Sequence, residues 1–508
     1  MKPIGTITMD YRFVSKDTKN LLGKFMARAS TYSDYVETMS SYVLSNKDTA
    51  DELVLLAIRH CENLGRNELQ RRIIETYQRR DVVVPYFLLI HAEERDEWDI
   101  VLNEFEKAIE NCSDDWIAYF YLIQLYWLAS TRSVDARAEE RAFVQIENLI
   151  ETKTSIHCYT PQFYYLQSHK LRYEGDIAGA IDLCKLGLAK AREFDDRYLE
   201  SRCLKEMGAL TGFFSIGPGS AETGLSFLNE AKEICKELDD PRGLIEVLSY
   251  VGGINAMSGA FTVWRDINLE MLKVRELMGD DPSYEFHNIA IAFHQLKDGK
   301  EALEWAKFAL ESANSRPQLL PIAHLDVAFA LILLDRLSEA EEHIDTARSL
   351  NLEAGLESGL AYEYMVNGQL ERALGDYDSA IHSFKSALEI NERNARFNRL
   401  VSCLMYLAET EVTSFEANLQ NMHDDLSGPW MEQFENHIRE RGLTGYIGFL
   451  LCLKSELRFK QGRHDEARIY ANEARNISQQ HGYEHLKNII NNLAVQKSVH
   501  YPSSQFRE

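Results

Sequence analysis

The chain has 508 residues, 45% hydrophobic and 26% charged, a balance that excludes wholesale disorder and allows several domains or one long array. Its formal net charge of −24 repels phosphate backbones, so nucleic acid is disfavoured as a general partner. No run of about 18 apolar residues occurs, so no membrane-spanning helix is expected.

Residues 1–15 read as an extended arm, because Ile4, Thr6, Thr8 and Tyr11 are β-formers in partial alternation. The arm either packs on the first hairpin or lies in the chain's own groove as an internal ligand. The stretch "MKPIGTITMDYRFVSKDTK" lacks the long apolar core of a signal peptide, which points to a cytoplasmic protein. The eight cysteines agree with a reducing compartment: no two are closer than 19 residues, and most fall in apolar helical stripes.

Residues 16–154 read as divergent helical hairpins continuous with a repeat array over residues 155–495. In them "DELVLLAIRHCENL", "RNELQRRIIETYQRR", "VPYFLLIHAEE" and "WDIVLNEFEKAIENC" each form one helix. The basic run at Arg66, Arg71, Arg72, Arg79 and Arg80 is either a local patch or a solvated face paired with Glu68, Glu75, Asp81, Glu94 and Glu97.

Over residues 155–495 one spacing recurs. A turn residue at 175, 219, 259, 297, 335, 375, 412 and 462 is followed five positions later by another marker, usually alanine. A period near 40 residues, sustained this long, is the mark of a solenoid. Each unit has an apolar helical stripe before the turn, such as Phe286, Ile289, Ala290 and Phe293, and another after it, such as Ala302, Ala306 and Ala309. One such pair cannot cover its own apolar face; stacked neighbours can.

At these residues the chain resembles tetratricopeptide repeats (TPR), with Gly252, Ala328, Ser168 and Ser455 in the small position of other units. The standard repeat is about 34 residues, so the longer period is more similar to the arrays of bacterial and archaeal TPR regulators. Linkers such as "AREFDDRYLESR" and "CKELDDPRGLIEV" share that character. The resemblance implies an all-α superhelix of antiparallel helix pairs.

Two segments depart from the pattern. "GALTGFFSIGPGSAETG", residues 208–224, is either a lengthened turn or a phosphate cradle without the lysine that would hold a nucleotide. Residues 411–446 stretch the period, with Trp430 either a partner contact or a plug between units. The last helix, "EHLKNIINNLAVQKS", reads as a cap, and residues 496–508 as a disordered tail.

No HExxH, GxSxG, phosphate-loop or dinucleotide fingerprint occurs, so no enzyme and no cofactor is implied. His287 and His294 lie two turns apart on one helix and would need His324 or Asp326 to hold a metal; a polar groove wall is the simpler reading. In a TPR array the first helix of each pair lines the inner face. Counting from the motif, the inward residues include Tyr165, His169 and Arg172, then His287 and His294, then Ile322, Leu325 and Phe329, then Arg372. The apolar members would form an exposed patch unless a curled array buries them. Arg393, Arg396 and Arg399 lie loosely on one face and either grip a carboxylate or phosphate or pair within the chain, with Glu389, Glu392 or a neighbouring repeat. The expected partner is a protein or peptide held in this groove. A small-molecule ligand sensed by the same face is the alternative, a structural subunit a third, and self-association is compatible with all three.

Overall fold

A computed structural model describes residues 14–95, 98–112, 114–132, 136–153, 160–215, 217, 219–313, 316–354, 357–393, 397–415 and 429–493. Most of the arm, Arg396 and the C-terminal tail lie outside the described residues, as do Cys158 and the stretch 416–428. Among the described residues there are 25 α-helices and no strand. The chain is all-α, a solenoid of antiparallel helix pairs, and its contacts divide it into two units. That division falls inside the repeat array and not near residue 154.

The first unit comprises Met1–Ser215 and Glu222–Val247. Its helices are α1 (Lys16–Arg28), α2 (Tyr32–Ser45), α3 (Asp51–Asn63), α4 (Asn67–Tyr77), α5 (Val84–Arg95), α6 (Trp98–Glu110), α7 (Asp115–Arg132), α8 (Ala136–Thr152), α9 (Thr160–Glu174), α10 (Ile177–Glu193), α11 (Arg197–Ala209), most of α12 (Ser220–Leu238) and the start of α13 (Pro241–Met257). The second unit continues α13 and adds α14 (Phe261–Met278), α15 (Ser283–Gln295), α16 (Gly299–Ala313), α17 (Leu320–Leu333), α18 (Leu337–Ala354), α19 (Glu357–Ala373), α20 (Tyr377–Arg393), α21 (Phe397–Ser414), α22 (Pro429–Arg441), α23 (Thr444–Lys460), α24 (His464–His481) and α25 (Glu484–Asn492).

Backbone geometry at the turns shows why they fall where they do. Seven of the eight turn positions marked in the sequence have positive φ: Gly175, Gly219, Gly259, Lys297, Asp335, Gly375 and Gly462. A left-handed residue ends one helix and releases the chain for the next. An aspartate then often comes next and caps the new helix. Asp176 accepts from Gly179 N at 2.9 Å, and Asp376 from Ser379 N at 3.1 Å. The same device joins successive repeats and accounts for the "DD" linkers. Asp195 and Asp239 take φ of 55° and 53°, while Asp196 and Asp240 cap α11 and α13.

The small position does more than make room. Ser168 Oγ donates to the Ala180 carbonyl at 2.9 Å, and Ser455 Oγ to the Ala467 carbonyl at 2.8 Å. Each pins the two helices of its pair together across a dry contact.

The eighth turn position is corrected. Val412 is buried within α21 and is no turn, because that helix runs on to Ser414. Glu411 caps α22 by accepting from Trp430 N and Met431 N at 3.1 and 2.9 Å. Two members of the basic run are paired, with other partners than the sequence suggests: Arg66 with Glu37 at 3.4 Å and Arg80 with Asp51 at 2.6 Å, while Arg71, Arg72 and Arg79 are exposed.

In the 208–224 segment α11 widens into a π turn, Leu210–Phe214. Its glycines mark a backbone crossing. A Cβ on Gly224 would sit 2.5 Å from Gly212 Cα and 2.7 Å from the Gly208 carbonyl oxygen. Neither obstacle is a side chain that can swing away. Gly224→Ala should therefore cost about 1–3 kcal/mol by overpacking, read as a lower midpoint in denaturant with no change in the slope of unfolding.

In unit 2 a continuous apolar core runs from Phe261 to Leu457, and a second cluster from Leu451 to Leu493 closes the C-terminal end. α25 contributes Leu486 and Ile490 to it, as a cap should.

Candidate binding site

In unit 1 the inward residues of α9 meet those of α11 and of the start of α13 in a polar ladder. Glu206, on α11, has no exposed side-chain surface. It accepts from Arg172 Nε at 2.8 Å and lies 2.9 Å from His169 Nε2. Arg172 Nη2 is 3.1 Å from His169 Nδ1. A guanidinium can only donate, so Nδ1 accepts, and Nε2–H is left to donate to Glu206. That is the neutral imidazole, and burial also lowers the pKa of His169. Burial alone would push the Glu206 carboxyl up, but the His169 hydrogen bond and the Arg172 and Lys205 charges together hold it at about 2.

One step along the ladder, Lys205 Nζ reaches Tyr165 Oη at 3.1 Å and Glu246 at 2.6 Å. Arg202 pairs with Asp240 at 2.9 Å and lies 3.6 Å from Glu246. The ladder opens into a cavity of about 210 Å³ closed on the far side by the N-terminal helices, which supply Arg59, Glu62, Tyr86, Phe120 and Gln124. Tyr198 Oη donates to the Asn63 carbonyl at 3.2 Å, joining residues 135 apart in sequence. Glu62 accepts from Gln124 at 2.7 Å, and burial raises its pKa. Arg59 lies 4.1 Å over the Phe120 ring. Two buried polar atoms at this wall, Gln162 Oε1 and Arg202 Nη1, have no hydrogen-bond partner among the described residues. Such atoms are costly unless water or a ligand meets them.

Unit 2 treats its inward residues differently. Leu325 and Phe329 are 0% and 1% exposed, so of the two outcomes left open by the sequence, an exposed apolar patch or burial, these residues take burial. Phe329 stacks on His294 at 3.4 Å and meets Tyr362 and Tyr406 edge-on at 6.3 Å each. The inner side chains of four successive first helices are large enough to meet and fill the space. His294 is buried with them, and burial, reinforced by the Lys297 and Arg372 charges, keeps its pKa well below the usual range. Arg372 pairs with Glu409 at 2.6 Å. His287 is engaged separately, 2.6 Å from Asp326, and His324 faces His343 at 2.9 Å, so these groups do not converge on one metal. Among the described residues no group of three or more potential ligands could hold a metal ion. His287, Ile322 and Arg399, read from three different repeats, do come together around a second cavity of about 230 Å³.

Residues 364–394 match the model of the tetratricopeptide repeat, a stretch that takes in the second half of α19 and the whole of α20. One unit of the array is thus a recognisable tetratricopeptide repeat. Among solved structures it is similar to a signal transduction ATPase with a TPR sensor from Pyrococcus horikoshii, at 16% identity and a TM-score of 0.48, over 70% of this chain and 51% of that one. The chain thus spans about half the length of that protein. It is also similar to a Rap protein complexed with competence and sporulation factor, at 14% identity and a TM-score of 0.40, over 67% and 98% of the two chains. Aspartyl phosphate phosphatase F from Bacillus subtilis aligns at 13% identity and a TM-score of 0.40, over 71% and 94%. No curated protein sequence matches the chain.

The repeat register explains which site residues sequence reasoning misses. Counting from the motif reaches α9 and α13 but not α11, whose pair carries the atypical 208–224 segment. Tyr198, Arg202, Lys205 and Glu206 therefore escape it, although "YLESRCLKE" places a charge or ring on that face at every turn. Arg59 and Glu62 lie in a hairpin too divergent for the motif to set its register.

Proposed function

We propose that this TPR chain is a non-enzymatic scaffold or adaptor that binds a protein or peptide segment on the inner face of unit 1. The observation that carries the reading is the cavity at the foot of the polar ladder, where Gln162 and Arg202 hold buried polar atoms without hydrogen-bond partners among the described residues. Tyr86, Phe120, Tyr165 and Tyr198 would grip an apolar anchor, while Arg59, Arg242 and Gln162 fix its orientation through polar groups. Extended and helical segments both suit such a face.

The test is affinity for peptides selected by display on the full chain. Gln162→Ala and Arg242→Glu leave the apolar core untouched and should each weaken binding by about tenfold or more. Wild-type affinity in both variants would reject the site.

A further inference from the structure

We propose that the unit 2 cavity is a second, separate ligand site, and that its ligand is an apolar carboxylic acid: an aliphatic or aromatic body of roughly one large side chain, ending in a carboxylate. The proposal does not rest on the peptide reading of unit 1.

The cavity, about 230 Å³, is lined by both apolar and charged groups, with Ser283, Tyr284 and Asn288 among them. Leu319, Ile322 and Ala323, close together in sequence, and Ala309 supply the apolar part of the lining. His287 from α15 and Arg399 from α21 belong to the polar part. What makes this a built site is Asp326. Its side chain is fully buried, and both of its oxygens are taken: Oδ2 lies 2.6 Å from His287 Nδ1, and Oδ1 accepts from Tyr362 Oη at 2.7 Å.

The consequence is directional. Asp326 only accepts, so Nδ1 of His287 must carry a proton, and the ring is locked in one orientation. Nε2 is the polar atom His287 can still offer to a ligand. With the hydrogen on Nδ1, Nε2 carries the lone pair that can accept the hydrogen of a carboxylic acid. The Arg399 guanidinium, in the same lining, lies 5.7 Å over the Tyr362 ring. Its planar donors suit a carboxylate. Asp326 also lines the cavity and keeps its negative charge, which the Arg399 guanidinium has to offset for a carboxylate to enter. A cation, an imidazole and aliphatic groups around one small space select for charge at one end of the ligand and hydrocarbon at the other. A bare inorganic anion would leave the apolar lining unused, and a neutral hydrocarbon would make no use of the charged groups.

The source of the acid is open to experiment, since a free metabolite and the C-terminus of a leucine-ending peptide share this chemistry. Isothermal titration of the full chain would use 4-methylpentanoate, its amide, and Ala-Ala-Leu as the free acid and as the C-terminal amide. The expected result is binding of at least one acid, with its amide weaker by about tenfold or more. Preference for 4-methylpentanoate marks a free acid, and preference for Ala-Ala-Leu marks a peptide end. Arg399→Ala and His287→Ala should each remove most of this binding. Ile322→Trp, which fills the cavity without removing a charge, should remove it too and serves if a charge variant folds poorly. Arg242→Glu, in unit 1, should bind the acid as wild type does, so the two sites are told apart. Binding of neither acid, equal binding of acid and amide, or wild-type binding by both Arg399→Ala and Ile322→Trp would overturn the proposal.

Discussion

Phe329→Asp is expected to abolish folding of unit 2. On a groove-lining ring the same change would be a mild probe of binding. Phe329 is 1% exposed and sits at the junction of His294, Tyr362 and Tyr406. Removing its ring costs about 3–5 kcal/mol by itself. Burying a carboxylate with no assigned cation partner adds several more. That total rivals the whole stability of a typical domain, about 5–15 kcal/mol. Limited proteolysis should therefore digest the stretch from α14 to α25 while fragments of unit 1 persist. Phe329→Leu, which keeps the site apolar, should cost far less and leave unit 2 resistant. A folded, protease-resistant Phe329→Asp would mean that the inner face of unit 2 is open.

Glu206→Gln has the next largest expected effect, in unit 1. The glutamine keeps the shape but removes the charge that balances Arg172, whose side chain is only 8% exposed. Breaking a buried pair from one side costs about 3–5 kcal/mol, because the remaining charge is stranded. Acid does the same to the wild type, and the sign comes from the pKa. The Glu206 carboxyl is shifted from an ordinary value of 4.5 to about 2 in the fold. Its stabilisation is present in full above pH 4.5 and is lost as pH falls through 2. The shift corresponds to roughly 3 kcal/mol. Glu409 in unit 2 behaves alike: burial opposes its ionisation, but Arg372 and Lys297 outweigh burial and hold it at about 2. Thermal midpoints should be flat near neutrality and fall steeply between pH 4.5 and 2. In Glu206→Gln the unit 1 transition should start lower and lose part of that slope.

Much of the fold is legible because its grammar is local. A turn residue followed by a capping aspartate is visible in sequence, as are alanines at helical spacing, and seven of eight turn positions carry the expected left-handed backbone. Val412 departs because a marker spacing alone cannot tell a turn from the middle of a long helix. The site is less legible, for a different reason. Inward direction can be counted along one helix, and Tyr165, His169 and Arg172 do join the unit 1 ladder. Whether an inward residue sees solvent depends on what comes back from repeats dozens of residues away. The rings of Tyr362 and Tyr406 close the space around Phe329, while the smaller Ala309 and Ala323 leave a cavity beside His287. Curvature of this kind is not written in any one repeat.

The most direct test of the central claim, that recognition occurs on the inner face of unit 1, is site-specific photo-crosslinking to a selected peptide. A benzophenone side chain would replace Gln162, at the cavity, or Leu186, an exposed position on the second helix of the same pair, 52% accessible. The account predicts a crosslink from position 162 that free peptide competes away, and none from 186. Crosslinking from 186 alone, or equally from both, would contradict it.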